Sequence, residues 1–486
     1  MNEDLIRARW PDAATFYRER DQRTGLAVAE LERFATVPVE IRVDPVHADD
    51  ATTQAIALVA ANLTTRWARR VRVVTPDAPL RGALGMAFPG GLAARLLAEM
   101  RSADPFGDFA VVEEPAWTLA GKSLRLLVGP WRAIAETSGD DYHVEASGWS
   151  ARGRRLGQPL HGEPAPALAA AAALAGAIGA GDLFKRAIGH APGQWMQRFE
   201  WSVWSHDFGP QLQGGAPAVP ARTDIGRVLL AGAGAIGSAL LYILLLDELR
   251  GELTVLDRDC VDTTNLNRSP LFTAEDAAGE RHKVDVAVEA LASRGLHATP
   301  VNGTWHQHAD ELSSEAFDVW VSLTNEGGAW AAVPFHLPPV VVHGTTTSEW
   351  GVAAGRHIPR REDCTLCRLP RPHAEFRGPC STGAIAEEAD PDNGPRASLP
   401  FLSTVAAALV AAELIKLPLR DAASQPNCIQ ADFHQGLPGV IAIRRGSSPS
   451  CAGCTVANMS LWADRGGRGR YAHLSDQPTL VGGRTG

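Results

Sequence analysis

Apolar positions in this chain fall into short runs that read as buried strands and longer stretches with helical spacing. Val39 to Val43, Val71 to Val74 and Leu124 to Val128 are strand-like, and Thr52 to Ala68 between the first two is helical. This alternation predicts an α/β first half. The second half repeats it, with strands at Val228 to Ala231, Leu253 to Leu256 and Val319 to Leu323 and an apolar helix at Ser238 to Leu246. Each half closes on an Ala-rich helix, Ala165 to Ile188 and Leu402 to Leu419. The helices end alike, on Asp182-Leu183-Phe184-Lys185 and Glu413-Leu414-Ile415-Lys416. That repetition suggests two related domains, although two Ala-rich helices can match through composition alone.

The halves differ where their first strands end. Val228 to Ala231 runs into Gly232, Gly234 and Gly237 and then into the helix. Glycines permit the tight turn and a close approach of phosphate to the backbone, while the helix N-terminus supplies N–H groups and positive potential. In the first half the chain continues as Asp44-Pro45-Val46-His47, which offers no such cradle. Asp257, at the end of the next strand, is placed to accept from a ribose hydroxyl. To this point a nicotinamide-dependent oxidoreductase fits equally well. The continuation, with Asp259, Asn265, Arg268 and Lys283, does not fit one, because two cations close behind a glycine turn suit a reacting triphosphate. Either cation alone would be read as a solvated surface charge.

The pattern Asp257-x-Asp259, Asn265-Leu-x-Arg268 and Gly279-x-x-x-Lys283 resembles the adenylation site of the ubiquitin-activating enzyme superfamily. That superfamily includes the adenylyltransferases of thiamine and molybdopterin biosynthesis. The resemblance implies a doubly wound, mostly parallel, Rossmann-like sheet. It also implies ATP with Mg2+: Asn265 and Arg268 on the phosphates, Lys283 at the reacting phosphate, Asp257 on the ribose, and Asp259 as a further nucleotide or magnesium contact. One position departs from the family. Where its Thr-Asp-Asn aspartate binds magnesium, this chain has Thr324-Asn325-Glu326, so the metal contact would be an uncharged oxygen unless Glu326 or Asp259 compensates. Ubiquitin-activating enzymes pair an inactive with an active adenylation domain, whereas the biosynthetic members are homodimers of active ones. The first half is accordingly expected to be a degenerate adenylation-like α/β domain over 1–205. A linker over 206–221, the active domain over 222–463 and a disordered Gly/Arg-rich tail over 464–486 would follow. The family also brings an arginine from the partner domain to the triphosphate, for which Arg7, Arg9, Arg18 and Arg20 are candidates.

Seven cysteines, an odd number, and an N-terminus without a signal-peptide pattern argue against a disulfide framework. Cys364-x-x-Cys367 and Cys451-x-x-Cys454 offer four thiolates in pairs, which suit a tetrahedral structural zinc site. Many bacterial members of the family carry zinc at this place. Cys380, in Arg377-Gly-Pro-Cys380-Ser-Thr-Gly383, stands where the family puts its acyl-accepting cysteine, although the related Cys-x-Thr-x-Gly is one residue longer. Arg371 and Arg377 could stabilise its thiolate, and the acidic, Pro/Gly-containing stretch Glu387 to Arg396 reads as a flexible crossover. An inert cysteine is the plain alternative. Cys260 and Cys428 read as core residues.

With 46 basic and 55 acidic side chains over 486 residues and no long Lys/Arg block, nucleic acid is not an expected partner. The apolar run near Ala239 is too short for a membrane span, so a cytoplasmic enzyme is expected. The expected partners are a ubiquitin-like protein with a free C-terminal carboxylate and a ubiquitin-conjugating-type enzyme; a homodimer is the other assembly known in the family. The reaction expected is C-terminal adenylation followed by thioester formation. Its nearest rival is a sulfur-carrier adenylyltransferase of cofactor biosynthesis, and an NAD-dependent oxidoreductase or a non-catalytic scaffold are rivals of other classes.

Overall fold

The computed structural model describes residues 2–24, 28–87, 90–113, 123–132, 140–155, 158, 162–212, 215–292, 295–314, 317–324, 329–336, 338–347, 350–368, 399–457 and 469–474. In the first half β1 (Val39–Val43), β2 (Arg70–Val74), β3 (Asp108–Val112), β4 (Leu124–Val128), β5 (Tyr142–Ser147), β6 (Ser150–Arg155), β7 (Phe199–Ser202) and β8 (Phe208–Gly209) form one sheet in the order β3-β2-β1-β4-β5-β6-β7-β8. In the second half β9 (Thr223–Ala231), β10 (Leu249–Asp257), β11 (Leu296–Asn302), β12 (Val319–Ser322), β13 (Val341–Thr346), β14 (Gly351–His357), β15 (Cys428–Asp432) and β16 (Gly439–Ile443) form another in the order β11-β10-β9-β12-β13-β14-β15-β16. The two orders correspond strand for strand. So do the directions: the strands up to β5, and up to β13, run parallel, and the remaining ones join antiparallel. The likeness of the Ala-rich helices thus belongs to a duplicated topology rather than to composition alone.

The inner faces of the sheets share a core. It takes in the helices Ala51–Thr65 and Ala169–Ala187 of the first half and Ala235–Leu245 and Pro400–Lys416 of the second. The Ala-rich helices are buried on nearly every side, which explains their lack of a polar face. Small side chains let them approach closely: a Cβ on Gly176 would lie 2.9 Å from the Ile56 carbonyl oxygen, and one on Gly181 2.9 Å from the Phe401 ring. The outer faces differ. Sheet two is covered by a second core that includes Leu229, Leu256, Trp305, Phe317, Trp320 and Val341, and it is therefore doubly wound. In sheet one the alternation puts Val39, Ile41 and Val43 in the core and Glu40 and Arg42 on the other face. There Glu40 pairs with Arg42 at 2.5 Å and Arg125 at 3.0 Å, and Arg125 with Asp141 at 2.9 Å.

The repeated helix endings clamp the halves together. Asp182 pairs with Arg155 of β6, and Lys185 crosses to the second half, donating to the Gln435 carbonyl beyond β15 at 2.8 Å. Glu413 pairs with Arg356 of β14 at 2.8 Å and with Lys416, which crosses to the first half and donates to the Trp204 carbonyl beyond β7 at 3.0 Å. The exchange is reciprocal, as a pseudo-twofold requires. His206 also reaches Glu413, at 2.7 Å. Burial, and after it the Lys416 charge, pushes His206 down to about 4. Between about pH 4 and 6.5 the unfolded chain therefore binds more protons here than the folded one, so stability rises with pH in that window and is lost on acidification. Burial would raise Glu413, but Lys416 and Arg356 outweigh it and hold the carboxyl low, which adds a further loss below the usual carboxylate range. Denaturant titrations at about pH 7 and about pH 4.5 should differ by roughly 2 to 3 kcal/mol, and His206→Gln should flatten much of that dependence. Equal midpoints would contradict the neutral, buried His206.

Some expectations differ from the structure. β8 extends the first sheet past residue 205, and Trp149 ties the linker down through the Pro217 carbonyl at 2.8 Å. Part of the segment expected to be a disordered tail is docked. The Tyr471 hydroxyl donates to the Ile225 carbonyl at 2.9 Å, Arg470 pairs with Asp224 at 3.0 Å, and Leu474 is fully buried. Two apolar side chains in a polar run supply the contact surface. Cys428 is buried in β15 as expected, but Cys260 is only half-buried, beside the His282 ring with its sulfur 3.4 Å from Nδ1. It follows β10 in a loop, where its apolar neighbours no longer imply a strand. Among the described residues no helix is long and apolar enough to cross a membrane.

Candidate active site

The glycine turn stands at the carboxyl end of β9. Gly232 has φ +100°, and a Cβ there would lie 2.8 Å from the backbone of Leu323 and Thr324 beyond β12. A Cβ on Gly237 would lie 2.1 Å from the Gly232 carbonyl oxygen, so these two glycines are required by packing. Gly234 is different. It is the N-cap of the Ala235–Leu245 helix, and a Cβ on it would meet open space, the side from which a phosphate can approach. Asp257, the last residue of β10, fixes the turn: its carboxylate accepts from the Ala233 N–H at 2.6 Å and from the Asp259 N–H at 2.9 Å. Each carboxylate oxygen keeps a second lone pair, which a ribose hydroxyl can use.

Asp259 and Lys283 meet although they are far apart in sequence. Lys283 opens the Lys283–Leu291 helix; its N–H donates to the Asp259 carbonyl at 3.0 Å and its Nζ to the Asp259 carboxylate at 2.8 Å. The lysine side chain is 6% exposed and that of Asp259 55%. Burial would raise Asp259, but the charge and hydrogen bond of Lys283 outweigh it and hold the carboxyl below its ordinary value. Asn265 ends the turn Thr263–Asn265, where its side chain accepts from the Asp262 N–H at 2.9 Å. Arg268 is buried, donating to the Thr264 carbonyl at 2.6 Å and the Asn267 side chain at 2.9 Å. Asn325, Glu326, Arg371, Arg377, Cys380 and the stretch Glu387 to Arg396 lie outside the described residues.

The first half also reaches this region. Of the candidate arginines, Arg20 is fully buried and bound to Asp21 and Asp104 at 2.7 and 2.8 Å. It supports the first half internally and cannot serve a ligand. Arg9 pairs with Glu19 at 2.9 Å beside Thr263, and Arg7 and Arg18 are exposed. Arg23, which is not among the candidates that the sequence suggests, is half-buried, and its charge acts on Asp259. Its neighbour Thr24 accepts from the Asn267 side chain at 3.3 Å. No periodicity marks Arg23, because its position depends on a contact between the halves.

The four knuckle cysteines converge, with all their sulfurs within 4.8 Å of one another. Cys364 lies 3.9 Å from Cys367 and 3.6 Å from Cys451, and Cys367 lies 3.4 Å from Cys454. A tetrahedral ion with metal–sulfur bonds of about 2.3 Å needs sulfur separations of about 3.8 Å, so this donor set fits one. Burial pushes the Cys367 thiol up to about 12, whereas the hydrogen bond from Cys364 brings Cys454 down to about 4. The cluster holds all four sulfurs as thiolates only with a cation among them.

Residues 221–451 match the ThiF family. Human ubiquitin-like modifier-activating enzyme 7 is 45% identical over 141 residues, covering 26% of this chain and 13% of that protein's length. In three dimensions the chain is similar to E. coli MccB with ATP, at 20% identity and a TM-score of 0.36 over 48% of this chain and 66% of that one. It is also similar to E. coli MccB with MccA-N7isoASN, at 20% identity and a TM-score of 0.37 over 47% and 66%. The ThiF-family match over residues 221–451 thus falls on the half that carries the glycine turn, Asp259, Arg268 and Lys283.

Proposed function

We propose that this enzyme uses ATP and Mg2+ to adenylate the C-terminal carboxylate of a ubiquitin-like protein, and then captures the acyl group on Cys380 for a conjugating-type enzyme. The observation that carries the nucleotide half is the meeting of Lys283 and Asp259 beside a glycine turn whose Gly234 opens outward. Phosphates would sit over Gly234 and the helix N-terminus, with Asn265, Arg268 and Lys283 on their oxygens and Arg23 contributed by the first half. A carboxylate oxygen of the modifier attacks the α-phosphorus, and the bond to the β-phosphate oxygen breaks. Charge that accumulates on the departing pyrophosphate is met by cations already in place. Asp259 with Asn325 would face magnesium. The first half would hold no nucleotide: the place after β1 is taken by Asp44 paired with His47 at 2.8 Å, a carboxylate where a phosphate would need donors. A reducing compartment such as the cytoplasm suits the cysteine cluster.

ATP–pyrophosphate exchange should appear only with a cognate modifier and vanish when that modifier's C-terminus is amidated. Exchange that survives amidation would rule out carboxylate activation. Structural zinc is proposed for the four cysteines. Purified protein should contain about one zinc per chain, and Cys451→Ser should lose it and unfold at a lower temperature. A metal-free protein of undiminished stability would contradict the assignment.

A further inference from the structure

The first half carries an arginine that serves the second. Arg66 caps the Ala51–Thr65 helix and is 2% exposed. Its guanidinium donates to the carbonyl oxygens of Leu266 at 3.1 Å, Pro270 at 2.9 Å and Phe272 at 2.9 Å. Its Nε donates to the Asn62 side chain at 3.1 Å, and Asn62 in turn donates to the Pro270 carbonyl, also at 3.1 Å. The three carbonyls bracket Arg268. Among the described residues no carboxylate lies within ion-pair distance of Arg66. Burying a guanidinium on neutral acceptors alone is costly, and simple docking of two domains would be served as well by an apolar side chain. The corresponding cap of the Ala235–Leu245 helix is indeed apolar, Leu246. Leu266 and Phe272 are packed in a core, but on its other side the loop borders a cavity of about 510 Å3 lined by Asn62, Arg66, Glu99, Tyr242, Pro270 and Leu271. Burial lowers Arg66 to about 10, so it stays charged at neutral pH and grips the carbonyls as a cation.

We infer that Arg66, seconded by Asn62, is a positioning residue through which the first half sets the loop 266–272 and so aims Arg268 at the nucleotide. The inference rests on the ATP site proposed above. It gives the half without a glycine turn a role in catalysis, as a fixed scaffold for the phosphate loop.

The test is Mg-ATP binding by the full chain, measured by calorimetry. Arg66→Met, close in length but unable to donate, should weaken binding about tenfold, whereas Lys185→Met, which removes the crossing bond at the other end of the interface, should stay within about twofold of wild type. In an Arg268→Ala background, Arg66→Met should cost less than about a further twofold, because the group it aims is gone. Should Arg66→Met fail to fold, Arg66→Lys and Asn62→Ala carry the same readout with milder losses. Unchanged affinity in the Arg66 variants, an equal loss in Lys185→Met, or losses that multiply fully with Arg268→Ala would each overturn the inference while leaving the ATP site standing. A wild-type chain that binds no ATP would overturn the site, and the inference with it.

Discussion

Lys283→Ala and Arg268→Ala should each reduce modifier-dependent ATP–pyrophosphate exchange by at least about tenfold, roughly 1.4 kcal/mol of lost transition-state stabilisation. The size of the effect separates a catalytic cation from a surface one. An exposed ion pair is worth at most about 1 kcal/mol and is screened by salt, so a solvated lysine could be removed with little consequence. Lys283 is not solvated: its side chain is nearly buried and its Nζ is held 2.8 Å from Asp259. Replacing it removes a positive charge and takes from the Asp259 carboxylate its nearest cation, so both changes act against the leaving group. Arg268 differs in that its guanidinium is already anchored to its own turn through the Thr264 carbonyl and Asn267. It therefore loses little entropy on meeting a phosphate, and its removal should weaken ATP binding as well as lower kcat. Full exchange in both variants would remove the site assignment.

The second large effect concerns transfer. Incubation with ATP, magnesium and the cognate modifier should give a thiol-sensitive adduct, which Cys380→Ala abolishes entirely while pyrophosphate exchange persists. In this step the thiolate sulfur bonds to the acyl carbon of the adenylate, and AMP leaves with the electron pair of the broken acyl–oxygen bond. It needs a nucleophile that can reach the adenylate and none of the groups that neutralise pyrophosphate, so the two activities should separate. An adduct that resists thiols would indicate transfer to lysine. A normal adduct from Cys380→Ala would move the acyl acceptor elsewhere, and release of the acyl group to a sulfur donor in place of an adduct would favour the sulfur-carrier reading.

Much of the architecture is legible in the sequence because it is local. β1 and β4 coincide with the strand-like runs that predict them, and β9 and β10 contain theirs, since a strand face turned to the core must be apolar. The glycine turn and the cysteine knuckles can be read for the same reason: each packs its constraint into a few consecutive residues. Other features depend on partners hundreds of residues away. Glu413 visibly recurs with Asp182, but nothing in either helix tells that His206 is buried against it, or that the two lysines cross between halves. Arg20 looks like a candidate for the triphosphate and is instead sealed among Asp21, Asp104 and backbone carbonyls, whereas Arg23, three residues on, acts on Asp259. A one-dimensional pattern cannot distinguish two arginines one helical turn apart when the deciding surface belongs to the other half. The segment around Tyr471 reads as disordered because its composition is polar, although two apolar side chains suffice to dock a short stretch.

Equilibrium binding of Mg-ATP to the intact chain tests the central claim most directly. One working site, at Gly234, Arg268 and Lys283, predicts about one ATP per chain, a strong loss of affinity in Arg268→Ala, and no competition from NADH. Two ATP per chain, or displacement of ATP by NADH, would contradict it.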